Sequence, residues 1–118
     1  MAVYSDLSVD QGTDFSAEIL VDDTDGTTAN LTGYSVAGQI RKTYSSTTAV
    51  ALTCTVQDAA AGKLTIALSN STTNAMKAGR YVYDVEITKT SSGIKTRVIE
   101  GQLTVRPGVT QLWHYKER

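Results

Sequence analysis

The side chains of this chain that could do chemistry are few and dispersed. Asp22-Asp23-Thr24-Asp25-Gly26 gathers carboxylates and a glycine in one short segment, a composition suited to oxygen ligation of calcium. With Gly26 at the sixth position of a twelve-residue calcium loop, the first and last ligands fall at positions 21 and 32. Those positions hold Val21 and Thr32, so two key ligands are missing, and the segment reads as a solvated turn. His114 is the single histidine and has no second histidine or free thiol near it in sequence, which leaves a zinc or general-base role without partners. Cys54 is the single cysteine, so no internal disulfide can form. It falls on the apolar parity of a strand pattern, where a thiol acts as a small buried hydrophobe rather than a nucleophile. Asp84 and Glu86 form a carboxylate pair, but on the polar parity of their strand they read as a solvated face. No Gly-x-Ser-x-Gly elbow, phosphate loop or dinucleotide fingerprint is present. The expectation is a protein that is not an enzyme, with no catalytic residue, no cofactor and no metal.

Charge excludes further classes. Eleven Lys and Arg stand against twelve Asp and Glu, and a phosphate-backbone binder needs a basic face. The same balance argues against electrostatic attachment to a membrane surface. No apolar run approaches the ~20 residues that cross a bilayer as a helix. Met1-Ala2-Val3-Tyr4-Ser5-Asp6 lacks the basic and apolar regions of a signal peptide, so synthesis in the cytosol without secretion is expected, and Asn30 and Asn70 are not read as glycosylation sites.

The elements that position these residues are strands. Thr, Ser, Val and Ala dominate, with one Pro and one Phe, and β-branching favours a pleated backbone. Seven segments alternate apolar and polar residues with period two. Their apolar sets are Val3, Leu7 and Val9; Phe15, Ala17, Ile19 and Val21; Tyr34, Val36, Gly38 and Ile40; Leu52, Cys54 and Val56; Leu64, Ile66 and Leu68; Tyr81, Tyr83, Val85 and Ile87; and Ile99, Gly101, Leu103 and Val105. Turn chemistry separates them at Asp25-Gly26, Ala61-Gly62 and Ser91-Ser92-Gly93, and Pro107-Gly108 stops the last. Residues 70–77 break the rhythm and predict one short helical turn, capped by Ser or Asn at its start and closed by Gly79. The expected fold is an all-β, immunoglobulin-like sandwich of about seven antiparallel strands over residues 1–110, with a tail at 111–118.

Two features of this plan bear on function. Tyr81 and Tyr83 follow Gly79-Arg80 at a strand start, where a tyrosine can bury its ring and return its hydroxyl to nearby backbone. One of them is expected to lock the fold, the other reading being a ligand or partner surface. The tail carries Leu112, Trp113, His114 and Tyr115 outside the strand plan, and Trp and Tyr are enriched at interface hot spots. It is expected to act as an interaction arm, docking either on its own sandwich or on a neighbour.

Several stretches resemble a known family. Leu31-Thr32-Gly33-Tyr34, Gln39-Ile40-Arg41-Lys42, Ala78-Gly79-Arg80-Tyr81-Val82-Tyr83-Asp84-Val85, Val98-Ile99-Glu100-Gly101 and Val105-Arg106-Pro107-Gly108-Val109-Thr110 look like small virion structural proteins of tailed phages, notably those infecting cyanobacteria. The pattern is also similar to the N-terminal domain of phage baseplate upper proteins. The resemblance covers residues 7 to 110, and the tail departs from it. It implies an immunoglobulin-like module of a baseplate, tail, neck or capsid decoration, located in the virion and partnered by other virion proteins and copies of itself. A carbohydrate-binding or host-adhesion module is the alternative, with Tyr4, Tyr44 and Trp113 as scattered candidates for an aromatic platform.

Overall fold

The computed structural model describes residues 3–22 and 29–109. Within them the chain is mostly β: β1 Val3–Tyr4, β2 Leu7–Asp10, β3 Phe15–Leu20, β4 Tyr34–Arg41, β5 Val50–Asp58, β6 Lys63–Leu68, helix α1 Asn70–Ala75, β7 Gly79–Lys89 and β8 Lys95–Arg106. The strands follow one hydrogen-bonded path, β1-β8-β7-β4-β5-β6-β3, with β2 also beside β8.

The path turns at β5. Val50, Ala51 and Leu52 pair with β4, whereas Thr53 to Asp58 pair with β6. One strand therefore serves two groups of neighbours, and the apolar sides of both groups meet in one core. Leu64 and Ile66 of β6, Val85 of β7, Leu103 of β8 and Ile40 of β4 are buried together in it. Period two placed these residues on the inward side, because slipping any strand by one position would turn its whole set to solvent.

Two expectations about the strands need correction. The first apolar segment is two strands, not one, which makes eight; and the sheet is mixed, because β1 and β2 run parallel to β8. The β7–β8 ladder also contains a bulge. Val85 pairs with Ile99 and Glu86 with Arg97, which leaves Val98 as an extra residue. That extra residue lets consecutive side chains, Val98 and Ile99, both turn inward.

Helix α1 starts as its sequence predicts. Ser69 has extended backbone and its side chain accepts the Thr72 N–H, satisfying a donor that the first helical turn leaves unpaired. Gly79 does not close it. The helix ends at Met76, whose N–H reaches the Thr73 carbonyl, and Gly79 opens β7 with φ +144°. Thr73 is the buried polar residue among those described, and its hydroxyl is satisfied in both directions. It donates to the Thr13 carbonyl at 2.7 Å and accepts the Gly12 N–H at 3.1 Å. Asp14 adds a second tie by accepting the Asn70 N–H at 2.8 Å. So short a helix has little stability of its own, and these bonds fasten it to the β2–β3 turn.

Candidate functional site

The tyrosines singled out by the sequence both hold backbone, at different places. The Tyr81 hydroxyl donates to the Lys77 carbonyl at 2.7 Å, four residues upstream, across the corner where the chain leaves α1. Lys42 lies over its ring, with Nζ 4.7 Å from the centroid, and donates to the Arg80 carbonyl at 2.9 Å. The Tyr83 hydroxyl donates to the Ser5 carbonyl at 2.6 Å, a partner 78 residues away. Burial pushes the Tyr83 phenol up to about 12, because the anion would sit away from water.

That second bond belongs to a joint that period two does not reveal. β1 and β2 keep the same register against β8, Tyr4 opposite Glu100 and Leu7 opposite Leu103. Between them the ladder is interrupted without slipping. The Ser5 N–H donates to the Glu100 carbonyl at 2.8 Å, and its own carbonyl turns toward Tyr83. The Asp6 carboxylate takes over as acceptor for the Gln102 N–H at 3.2 Å. Gly101 makes room for the turned carbonyl: a Cβ there would lie 2.1 Å from the Ser5 oxygen. A glycine on the inward parity of a long strand was the signal available in the sequence, since such a residue marks a bulge or a close backbone approach. Ser5 and Asp6 gave no signal of their own.

The remaining sequence candidates disperse. Cys54 is half-buried in β5, its thiol 3.6 Å from the Leu52 carbonyl, and desolvation raises its pKa, which disfavours the reactive thiolate. Asp84 and Glu86 stand on the outer side of β7, and Asp84 pairs with Arg97 at 3.1 Å. Of the acidic loop, Asp22 is exposed and Asp23 to Gly26 lie outside the described residues. So do Leu112, Trp113, His114 and Tyr115. Among the described residues no three His, Cys, Asp or Glu side chains gather to hold a metal ion, and no helix is long and apolar enough to cross a membrane.

Two exposed apolar residues, Val3 and Leu20, stand on the strands at the two ends of the path. β3 pairs only with β6, and β1 only with β8, so each keeps one free edge among the described residues. Val3 on β1 and Leu20 on β3 are 62% and 64% exposed, too much for core residues. They meet across a groove of about 250 Å³ that Tyr34, Ile87 and Val98 also line. At the opposite end Gln11 ties three elements together. Its side-chain amide donates to the Met76 carbonyl at 2.9 Å and accepts the Gly108 N–H at 3.1 Å, while its backbone N–H reaches Arg106.

The chain matches no protein-family model and no curated protein.

Proposed function

We propose that this chain is a non-enzymatic structural protein of a tailed-phage particle, which assembles with copies of itself and with other virion proteins. One observation carries the assembly reading. The two free edge strands end in exposed apolar residues, Val3 and Leu20, on a single groove. An open edge offers unpaired N–H and C=O groups to a further strand, and apolar side chains beside it add burial at roughly 25 cal/mol per Å² removed from water. A specific contact needs about 800 Å² per partner, so the contact must extend beyond the groove itself. Residues 111–118 are the interaction arm in this reading, through Leu112, Trp113, His114 and Tyr115, and repeated copies reinforce such contacts by symmetry.

The finer fold in this proposal is an immunoglobulin-like sandwich. In it β3, β6 and the second half of β5 form one sheet, and β4, β7, β8 and β2 form the other. The change of partner along β5, the parallel edge strand beside β8 and the Tyr81 hydroxyl closing a corner support that reading. The phage assignment itself rests on the resemblance over residues 7 to 110, and the virion location follows from it. The solution mass of the full chain by light scattering is the experiment. A multimer supports the assembly reading and a monomer speaks against it.

A further inference from the structure

The outer side of β8, β7 and β4 carries an ordered rung of polar side chains between two exposed tyrosines. Tyr4 registers with Glu100, Glu100 with Asp84, and Asp84 with Gln39. Residues opposed across a ladder share a face, and their neighbours Ile99, Val85 and Ile40 fill the core on the other side. The rung spans three inter-strand spacings, about 14 Å.

Tyr44 stands at the far flank. Its loop is tied down where the Arg41 guanidinium donates to the Ser46 carbonyl and the Thr43 N–H donates to Ser46 Oγ at 3.0 Å. Tyr44 is 75% exposed and Tyr4 61%. Tyr44, Gln39, Arg41, Asp84, Glu86 and Arg97 line a recess of about 370 Å³. The Tyr4 phenol is pushed up by loss of hydration, then by Asp6, Tyr44 and Glu100, so the two tyrosines, 40 positions apart in sequence, are within electrostatic reach of each other.

Four of the charged groups on this face, Asp84, Glu100, Arg97 and Arg41, are already engaged. Arg97 holds Asp84 and Glu100, each at 3.1 Å, and Arg41 donates to Gln39 Oε1 at 3.0 Å. They therefore present fixed, planar donors and acceptors with little net charge to satisfy.

We propose that this face is a binding site for a short neutral oligosaccharide. Its chemistry fits on both counts. The apolar C–H side of a sugar ring packs on an exposed aromatic ring, and vicinal hydroxyls suit planar carboxylate, guanidinium and amide groups. A protein partner would need an apolar centre, and here the centre is charged. A sulfated glycan or a nucleic acid would meet Asp84, Glu86 and Glu100. Tyr4 and Tyr44 are the stacking residues; Gln39, Asp84 and Arg97 are the hydroxyl partners.

The test is a titration of the isotopically labelled full chain, followed by NMR, with maltotetraose, cellotetraose and chitotetraose as neutral probes and a heparin tetrasaccharide as the anionic one. At least one neutral probe is expected to shift the signals of Tyr4, Gln39, Tyr44 and Asp84. Tyr4→Ala and Tyr44→Ala each weaken that binding by about fivefold to tenfold, as expected for loss of one stacking contact. Both side chains are largely exposed, so the thermal midpoint stays at the wild-type value, which separates lost binding from lost folding. Heparin binds more weakly than the neutral probe. The proposal is overturned if no neutral probe binds, if the shifts map to another face, or if the double variant Tyr4→Ala/Tyr44→Ala binds as wild type does.

Discussion

Replacing Gly101 by alanine adds one methyl group, and its effect on stability can be worked out from a single contact. Gly101 does not adopt a positive φ, so alanine costs no backbone strain there. In a strand with free space the change would stabilise by about 0.4–1 kcal/mol, because alanine restricts the unfolded chain. Here the new Cβ would meet the Ser5 oxygen at 2.1 Å and the Ser5 carbonyl carbon at 2.8 Å. Both are backbone atoms, so the β1–β2 junction must leave β8. Three hydrogen bonds go with it: Ser5 to Glu100, Tyr83 to Ser5 and Gln102 to Asp6. At a net contribution of about 1 kcal/mol each, the loss is about 3 kcal/mol. With ~2.1 cal/mol/K per residue of unfolding entropy, a chain of this length loses about 4 °C per kcal/mol, so the midpoint falls by roughly 12 °C. Thermal unfolding followed by far-UV circular dichroism measures this, and hydrogen exchange at the Ser5 amide reports whether the junction has opened. Tyr83→Phe alone costs about 1 kcal/mol, and adding it to Gly101→Ala costs almost nothing more, because the same bond is already lost. An unchanged or raised midpoint for Gly101→Ala, or strictly additive losses, would mean that the close approach of Ser5 to Gly101 does not hold the junction.

Two further outcomes follow from the same physics. The raised Tyr83 pKa makes stability fall as pH rises from about 10, where the unfolded phenol ionises, to about 12, where the folded one does. Below that window both states keep the proton and nothing changes. Urea unfolding at several pH values measures the slope, and Tyr83→Phe should flatten it; an identical slope in the variant counts against a protected phenol. Thr73→Val keeps the shape of the side chain but strands the Thr13 carbonyl and the Gly12 N–H, at a cost of about 1–3 kcal/mol. Equal stability of Thr73→Val in urea would mean that the hydroxyl does not fasten α1.

The sequence made the inward face of most strands legible, because that face depends on local alternation; Val3, on the inward parity of the first segment, is exposed instead. Leu64, Ile66 and Leu68 sit inside as their parity predicts, and Ser91-Ser92-Gly93 turns the β7–β8 hairpin with Gly93 at φ +75°. What stayed hidden depends on partners far away in sequence. The break at Ser5–Asp6 exists because Gly101 and Tyr83 stand opposite it, and no pattern within residues 3–10 encodes that. The parallel direction of β1 and β2 is likewise set by β8 and not by their own residues. Val98 defied alternation because a bulge consumed one position. Tyr4 and Tyr44 looked scattered, and only the strand order β1-β8-β7-β4 puts them on one face. The position of Gly79 after residues 70–77 predicts a helix stop, but the residue opens β7.

The β1 and β3 edges, free among the described residues, are the proposed contact surfaces, and light scattering on the purified full chain measures whether they are used. At micromolar concentration the wild type should elute as a discrete multimer, and Leu20→Asp, which places a charge beside the β3 edge without touching the buried core, should shift it toward a single copy. A wild-type chain that remains one copy throughout, or a multimer indifferent to Leu20→Asp, contradicts the proposed contacts.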